Sequence, residues 1–477
     1  MKLKLIKIAA IVAVLSLFMM PAFGCKTAAT QTTASAAEST AAAETTAAET
    51  TAAAETTAAP ETTSGESIKL VFWWWGEQEA PGLEKWLKET VDLYQKAHPN
   101  ITIETVLQST ETLISAFKSA AAAQQGPDLQ YFWGGIFTIE DAWAGNIVPV
   151  SDYIPADELK HYYTSYEQEY DGKTWGAVWY TVPNPVVYNK QIFKDAGLDP
   201  ENFPKTWDEF LAACKAIKDK GIVPLSVGNK EGFAGAWLAS YIGIQNMDSP
   251  ADLMAPAIGK AKYTDEKYAA WWKRLGELRD NNYINKDINS LEFYQGQDNF
   301  KKGQAGMTLT VGSGAVDFVK NMGTDKVGIS IMPAWGTGKY AGRLQLSSQT
   351  VGITSWSKYP KECADFIMFM HSPERANAMY TMSGAFPADD RFDPNLLSTD
   401  QEKIIAKLAS ENVSPWGENY IPSQFDEQAY YFGVQEFFNG KTPADMTKKC
   451  QDIIEKWQKE QPDSVKNFEK WYESLTK

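Results

Sequence analysis

Histidine and cysteine are scarce in this chain of 477 residues, which has three His and four Cys. The cysteines, Cys25, Cys214, Cys363 and Cys450, lie far apart and form no Cys-x-x-Cys pair. Zinc sites and dithiol redox motifs need closely spaced ligands, so we expect no metal and no other cofactor. The three downstream cysteines allow at most one disulfide, and free buried thiols are the expected state.

Positively charged residues are fewer than negatively charged ones. The chain has 45 Lys and Arg and 60 Asp and Glu, which gives a formal net charge of −15. Phosphate groups are bound by clustered Lys and Arg. Nucleic acid is therefore excluded as a partner, and so is docking on anionic lipid through a basic face.

Catalytic signatures are missing as well. The sequence contains no Gly-x-Ser-x-Gly, His-Glu-x-x-His, P-loop or dinucleotide fingerprint. His98 and His371 each stand at the predicted end of a helix, where His is common and structural. We therefore expect a binding protein and not an enzyme. A glycoside hydrolase stays open as the rival from another class, since it needs only two carboxylates about 5–10 Å apart.

Long apolar runs occur only at the N-terminus, where three lysines precede an apolar stretch over 8–20. Small residues ending in Gly24-Cys25 follow, so residues 1–24 are predicted to be an export signal. The segment resembles a bacterial lipoprotein signal, which would leave a lipidated Cys25, although Ala22 stands where Leu is usual. An ordinary secretory signal with an incidental cysteine is the alternative. No other segment is long enough to cross a bilayer.

Residues 25–67 are a low-complexity segment of Ala, Thr and Glu in which Glu-Thr-Thr recurs. Beyond Cys25 it has no aromatic residue and no aliphatic residue larger than Ala. Nothing here can offset the entropy of ordering, so the composition predicts a disordered spacer after the lipidated cysteine.

Aromatic residues, by contrast, make up 13% of the chain, with 17 Trp. Flat rings suit sugar-binding surfaces, although most of these Trp are expected in the core. Strand and helix patterns then alternate, which predicts an α/β fold with a parallel sheet and helices on both faces. The predicted elements are a strand over 68–75, a helix over 81–97, a strand over 101–106, a helix over 113–123 and a strand over 128–133.

Extended chain is predicted over 176–190, where Pro183 and Pro185 are expected to form a rigid crossover because proline is excluded from central strand ladders. Thr206 and Glu209 form a capping-box pattern at the start of a predicted helix over 206–220. Later predictions are a strand over 306–311, a turn over 312–314 and a strand over 327–332.

Several blocks occur in an order that resembles the extracellular solute-binding proteins of carbohydrate ABC importers, the group that includes the maltose-binding protein. The resemblance covers residues 68 to about 460. Its most specific piece is Tyr188-Asn189-Lys190 followed by Pro204-Lys205-Thr206-Trp207-Asp208-Glu209-Phe210. The other blocks are Gly126-Pro127-Asp128-Leu129, Ala144 to Val150, Lys302 to Met307, Ala364 to Ser372 and Gly384 to Ala388.

The resemblance implies a two-lobe periplasmic-binding-protein fold (class II), with a ligand cleft between two α/β lobes. It places the N-terminal lobe at 68–181 plus 347–383 and the C-terminal lobe at 187–342 plus 387–477. Hinge crossings are expected at 182–186, 343–346 and 384–386.

The same resemblance implies a substrate-binding component that captures a neutral sugar or oligosaccharide by lobe closure and delivers it to the membrane subunits of an ABC importer. Acylated Cys25 would hold it in the lipid bilayer, on the outer face of the bacterial cell membrane. Fold alone does not fix function, so a polyamine, peptide, iron or sulfonate ligand stays an alternative.

Aromatic candidates for ligand contact lie at the ends of strands. Trp133 ends a strand and matches, through the resemblance, an aromatic sugar contact. Trp74 and Trp75 end the first strand, and alternation lets only one of them face the cleft, with core packing as the alternative for each. Trp237 follows a Gly-rich loop where the family often has an aromatic residue.

Polar candidates follow the same reasoning. Glu77 is a possible hydroxyl acceptor or a solvated loop charge, and Asn184 is a ligand contact or a turn cap. Tyr180 flanks the same crossover. Ser313 stands where related proteins often carry Trp. Another residue would therefore have to supply the aromatic ring.

Four further candidates complete the expected site. Trp335 or Trp416 is expected to supply the ring that Ser313 lacks. Gln349 follows the second crossing and should line the cleft. Arg391 is a weaker candidate, with a surface charge as the alternative.

Overall fold

The computed structural model describes residues 66–110 and 112–476. The predicted export signal, Cys25 and the spacer up to residue 65 lie outside the described residues, so those expectations stay predictions. Of the described helices, none is long and apolar enough to cross a membrane. Cys214, Cys363 and Cys450 are free and buried, as expected.

The strands are β1 Ile68–Trp74, β2 Ile101–Leu107, β3 Leu129–Trp133, β4 Ile147–Val148, β5 Glu169–Tyr170, β6 Lys173–Thr174, β7 Ala177–Asn184, β8 Val186–Asn189, β9 Val223–Ser226, β10 Ala305–Leu309, β11 Val327–Ser330, β12 Leu344–Thr354, β13 Phe386–Pro387 and β14 Val413–Pro415.

The α-helices are α1 Leu83–Ala97, α2 Leu113–Ala123, α3 Ile136–Trp143, α4 Ala156–Leu159, α5 Lys190–Asp195, α6 Trp207–Asp219, α7 Phe233–Gly243, α8 Pro250–Met254, α9 Glu266–Asp280, α10 Phe293–Lys301, α11 Gly312–Met322, α12 Pro360–Met370, α13 Pro373–Ser383, α14 Asp400–Glu411, α15 Ser423–Asp426, α16 Phe432–Phe438, α17 Pro443–Glu460 and α18 Pro462–Thr476. A π-helical turn spans Glu427–Tyr431, and short 3₁₀ segments cover Val150–Asp152, Ser165–Gln168, Ile244–Asn246, Pro394–Leu396 and Gly417–Tyr420.

The first five predicted elements are confirmed within two residues at each end. Leu70, Phe72 and Trp74 are buried on β1, as its alternating pattern requires. Parallel pairs join β1 to β2 and β1 to β3, as the alternation of strand and helix predicts.

The larger sheet, however, is mixed and not parallel. Its order is β13-β7-β12-β3-β1-β2, with β4 and β14 also paired to β12. The long strand β12 runs antiparallel to both β3 and β7. It comes from a distant part of the chain, so the local alternation over 68–133 carries no information about its direction.

The prediction that Pro183 lies outside a strand ladder is wrong. Pro183 belongs to β7 and is paired with Leu346 of β12. Strand β13 pairs with β7 only at Tyr180 and Thr181. No second strand therefore lies beside Pro183 to require the N–H group that proline lacks. Pro185 alone separates β7 from β8.

A smaller sheet has the order β11-β8-β10-β9. Because β8 begins at Val186, the chain passes from the larger sheet to the smaller one at Pro185. One hydrophobic core surrounds the larger sheet and another surrounds the smaller sheet. The exact lobe boundaries stay a prediction.

The predicted turn at 312–314 is also wrong, because these residues begin helix α11. Gly312 is needed there for close approach and not for a turn. A Cβ atom at this position would lie 2.7 Å from Pro183 Cγ and 2.9 Å from the Phe386 ring. This approach brings the start of α11 against the larger sheet.

Helix α6 begins at the predicted capping box. Thr206 Oγ1 accepts a hydrogen bond from the Glu209 N–H, and the Glu209 carboxylate accepts one from the Thr206 N–H. Two backbone donors that the helix itself leaves unpaired are thereby satisfied.

Replacing Thr206 with Ala should lower the free energy of unfolding by about 1 kcal/mol, because one backbone donor loses its acceptor. Urea denaturation followed by circular dichroism measures the change. Thr381→Ala, an exposed substitution inside α13, is the control and should change stability by less than about 0.5 kcal/mol. Equal effects of the two substitutions would contradict the capping role.

Candidate functional site

Three aromatic rings meet where β1 and β3 end. The Trp75 ring centroid lies 5.8 Å from that of Tyr131 and 6.0 Å from that of Trp133. Trp75 Nε1 donates a 2.9 Å hydrogen bond to Thr110 Oγ1. Trp133 stays partly exposed, whereas Trp74 and Trp75 are both buried in the core of the larger sheet, and of these two only Trp75 has its ring beside that of Trp133. The structure therefore brings Trp75 and Trp133 together and assigns Trp74 to packing.

Glu79, which the sequence did not single out, lies at the centre of the polar groups beside these rings. Tyr180 donates a 3.1 Å hydrogen bond to the Glu79 carboxyl, and Ser313 donates a 2.7 Å bond to the Glu79 backbone carbonyl. Burial raises the pKa of Glu79 to about 7, and the bond from Tyr180 partly opposes this rise. Glu79 is therefore poised to change its charge near neutral pH. We call Glu79, Tyr131, Tyr180 and Ser313 the Glu79 cluster.

A glycine makes this cluster possible. Gly76 has a φ of +133°, and a Cβ atom there would lie 2.8 Å from the Tyr180 hydroxyl oxygen. Only glycine accepts both the backbone conformation and the approach of the Tyr180 ring.

Gln349 joins the same region through the register of the larger sheet. It pairs with Trp133 on β3 and with Tyr180 on β7, and its side chain accepts a hydrogen bond from the Tyr131 hydroxyl. The predicted candidates Trp133, Tyr180 and Gln349 are thus neighbours on three adjacent strands.

A second group of rings forms a continuous row, which we call the aromatic wall and define as Tyr294, Phe293, Trp237 and Trp416. Successive centroids are 5.2 Å, 4.9 Å and 5.2 Å apart. Trp237 packs against the core of the smaller sheet and also against the core of the larger sheet. The wall therefore lies where the two sheets face each other.

The wall is connected to the Glu79 cluster. Burial raises the pKa of Tyr294, and the nearby charge of Glu79 raises it further. Tyr294 thus lies close enough to Glu79 to sense its charge. Of these residues the sequence singled out Trp237 and Trp416, and it missed Tyr294.

Asn184 is buried on β7 beside the passage between sheets, and neither its Nδ2 nor its Oδ1 has a hydrogen-bond partner among the described residues. Its partner across the ladder, Gln345 of β12, is buried too, and its Oε1 is likewise unpartnered there. Unpaired buried amides are costly, so a ligand that reached these groups would satisfy them. The turn-cap alternative for Asn184 receives no support from these contacts.

Two other candidates lie in different surroundings. The Glu77 carboxylate accepts hydrogen bonds from the Gly82 and Glu84 N–H groups, at 2.9 Å and 2.6 Å, at the start of α1. Trp335 Nε1 donates to the Ile242 carbonyl, and its ring lies under the Arg274 guanidinium. Both residues have structural contacts, and neither joins the aromatic wall.

Arg391 is paired and is not a free surface charge. It forms ion pairs of 2.6 Å with both Glu158 and Asp389. Burial tends to raise the pKa of Asp389, but the bonds from Arg391 and His371 outweigh it and leave this pKa well below its usual value. This network ties α4 to the segment after β13 and is distinct from the Glu79 cluster.

Two buried carboxyls, Glu418 and Asp426, also escaped the sequence analysis, and Glu418 lies two residues after Trp416 of the aromatic wall. Burial raises the pKa of both, and the charge of Glu418 raises that of Asp426 further. The sequence contains no local signal for them, because tertiary packing alone buries them. Among the described residues no cluster of three or more His, Cys, Asp or Glu could hold a metal ion.

The chain is similar to a known family and to several known proteins. Residues 76–376 match the family described as bacterial extracellular solute-binding protein. An uncharacterized ABC transporter extracellular-binding protein of Pyrococcus horikoshii is 22% identical over 373 residues, which are 73% of this chain and 80% of the relative. A diacetylchitobiose binding protein of Streptomyces coelicolor is 24% identical over 296 residues, 60% of this chain and 66% of the relative.

Among solved structures, a chitin oligosaccharide binding protein superposes with a TM-score of 0.73 at 24% identity, covering 82% of this chain and 99% of that one. A maltose-bound MalE3 of T. maritima superposes with a TM-score of 0.65 at 17% identity. These likenesses confirm the predicted α/β fold of two lobes.

Stability should depend on pH through Glu79. Its pKa is about 7 in the folded protein against an ordinary 4.5, so the folded state holds a proton that the unfolded chain releases between these values. The stabilising effect of this proton is present below pH 4.5 and is lost as the pH rises to about 7. The free energy of unfolding should therefore fall over this range, relative to Glu79→Gln, by on the order of 2 kcal/mol.

Urea denaturation at pH 5 and pH 7.5 measures this difference. Glu84→Gln, an exposed substitution on α1, is the control and should follow the wild-type curve. Identical pH dependence in the wild type and Glu79→Gln would contradict the assignment.

Proposed function

Because the chain belongs to the family of bacterial extracellular solute-binding proteins, we propose that it is the substrate-binding component of an ABC importer and that its solute is a sugar or oligosaccharide. The observation that carries this proposal is the aromatic wall beside unpartnered buried amides. Rings bind the C–H faces of a sugar, and Asn184 and Gln345 offer donors and acceptors to its hydroxyls.

The relatives support a saccharide as the solute. One is named for diacetylchitobiose and one solved structure for chitin oligosaccharide, whereas other relatives are named for sn-glycerol-3-phosphate. A phosphate ester needs cationic partners or helix N-termini. Burial is the largest cause of the raised pKa of Glu79, Glu418 and Asp426, and among the described residues no Lys or Arg forms an ion pair with them, which favours a ligand without phosphate.

We place the binding cleft between the lobes 68–181 plus 347–383 and 187–342 plus 387–477, with hinges at 182–186, 343–346 and 384–386. Contacts between the two sides support it. The Ser313 hydroxyl of α11 bonds the Glu79 carbonyl of the loop after β1, and Trp237 touches both cores. Closure on the ligand would present one surface to the importer's membrane subunits.

The proposal includes binding without chemical turnover, and attachment outside the cytoplasmic membrane through a lipidated Cys25. The family comprises binding proteins, and Gly24-Cys25 follows an apolar export signal. Hydrolysis of a bound oligosaccharide would contradict binding without turnover and would show that the protein is a glycosidase.

A thermal-shift screen over mono- and oligosaccharides tests the saccharide. A ligand present at 100 times its Kd should stabilise the protein by about 2.7 kcal/mol, which raises the melting temperature by several degrees. Trp133→Ala should weaken binding of the best ligand at least about tenfold, as expected for loss of a central ring. Trp335→Ala, which removes a ring outside the site, is the matched control and should bind normally. Failure of every saccharide to shift the melting temperature would refute the proposal.

Lipidation is tested by expressing the full chain in bacteria fed labelled palmitate. The wild type should incorporate label and sediment with membranes, because its new N-terminal cysteine is acylated. Cys25→Ala should do neither, while Cys214→Ala should behave as the wild type. A labelled Cys25→Ala protein would show that the anchor lies elsewhere.

A further inference from the structure

Glu167, which the sequence did not single out, is fully buried in the 3₁₀ segment Ser165–Gln168. Removing a carboxyl group from water is costly, so its contacts need an explanation. We infer that Glu167 is a positioning residue of the saccharide site, which fixes the ring of Trp133 relative to the aromatic wall and thereby sets the affinity for the ligand. The inference rests on the proposed function and adds to it a residue that acts through other side chains.

The first contact of Glu167 lies behind the end of β3. Glu167 Oε2 accepts a 2.6 Å hydrogen bond from Ser348 Oγ on β12, and Ser348 Oγ accepts a 3.1 Å bond from Gln168 Nε2. The backbone carbonyl of Ser348 accepts the N–H of Gly134 at 2.9 Å. Because Gly134 directly follows Trp133, these bonds hold the backbone that carries the Trp133 ring.

The backbone of Gly134 packs directly on these polar side chains. A Cβ atom at this position would overlap Ser348 Oγ and would lie 3.1 Å from Glu167 Oε2. Close-packed interiors transmit small displacements from one group to the next. A shift of Glu167 or Ser348 is therefore expected to move the Trp133 backbone.

The second contact of Glu167 holds the segment that ends the aromatic wall. Asn419 Nδ2 donates 3.1 Å hydrogen bonds to Glu167 Oε2 and to Ser347 Oγ. The N–H of Asn419 donates a 3.1 Å bond to the carbonyl of Trp416. A Cβ atom on Gly135 would lie 2.6 Å from Asn419 Cβ, so the residues after Trp133 also contact this segment directly.

A single oxygen, Glu167 Oε2, is thus the shared acceptor of two donors that are 181 and 252 residues away in the chain. One donor adjoins the Trp133 backbone, and the other adjoins Trp416, whose ring centroid lies 5.2 Å from that of Trp237. Groups that bind a ligand must be held close to the geometry that the ligand requires. Without this acceptor, the two ring-bearing segments lose their common attachment.

Direct contact with the ligand is the competing role for Glu167. Its other oxygen, Oε1, has no hydrogen-bond partner among the described residues, and the same holds for Gln168 Oε1. A ligand hydroxyl that reached these oxygens would satisfy them. The two roles differ in one respect: a positioning effect needs the Trp133 ring, whereas a direct contact does not.

A double-mutant cycle on the full chain separates the two roles. Isothermal titration calorimetry measures the Kd of the saccharide that stabilises the wild type most. Glu167→Leu keeps a side chain of similar size without an acceptor and should weaken binding at least about fivefold. In the Trp133→Ala background the same substitution should change the Kd less than about twofold, because the ring that it positions is gone. Glu167→Gln retains one oxygen that can accept both hydrogen bonds and should bind within about twofold of the wild type.

Glu140→Leu is the matched control. The Glu140 carboxylate on α3 accepts a 2.6 Å hydrogen bond from Ser423 Oγ and a 3.3 Å bond from the Ser423 N–H. Glu140 and Ser423 lie seven residues beyond Trp133 and Trp416, so this contact resembles that of Glu167 but lies further from the rings along both segments. The melting temperature should fall in both variants, whereas Glu140→Leu should leave the Kd unchanged. Should Glu167→Leu not fold, Asn419→Ala takes its place in the cycle with the same expectation.

A loss of affinity in Glu167→Leu that disappears without the Trp133 ring, with near-normal binding by Glu167→Gln, supports the inference. An equal loss in both backgrounds, or an equal loss in Glu167→Gln, overturns it in favour of direct ligand contact and leaves the saccharide function intact. Unchanged affinity in Glu167→Leu overturns it as well. If no saccharide binds the wild type, the proposed function itself fails.

Discussion

The antiparallel pairing of β7 with β12 positions most of the polar groups in the candidate site. It sets Asn184 opposite Gln345 and Tyr180 opposite Gln349, and it carries the chain to the point where Pro185 leads into the smaller sheet. A slip of this register by one residue would turn each of these side chains to the other face of the sheet. The position of Glu79 depends on the same pairing, because Tyr180 holds its carboxyl.

Two kinds of surface meet around this ladder, and their combination gives the site its chemistry. The aromatic wall supplies apolar area, whereas the carboxyls and amides beside it are buried without sufficient partners. Such groups are costly in a folded protein unless a ligand satisfies them. The loss of stability caused by these unpaired groups is therefore consistent with a binding surface. The paired network of Arg391, Glu158 and Asp389, by contrast, stabilises the fold.

Local patterns predicted the elements from β1 to β3 and the cap of α6, because periodicity and capping depend on nearby residues. Long-range packing was not visible in the sequence. Glu79 is held by Tyr180 and Ser313, which are 101 and 234 residues away in the chain, so no local pattern marks it. The two glycines at 312–314 indicate a turn because glycine favours turns, whereas in the structure Gly312 serves a close contact.

The central claim is that a saccharide binds between the two sheets. A crystal structure of the protein with the saccharide that stabilises it most would test this directly. The ligand should stack on Trp237 and form a hydrogen bond with the side chain of Asn184. A ligand bound elsewhere, with the Asn184 amide still lacking a partner, would contradict the account.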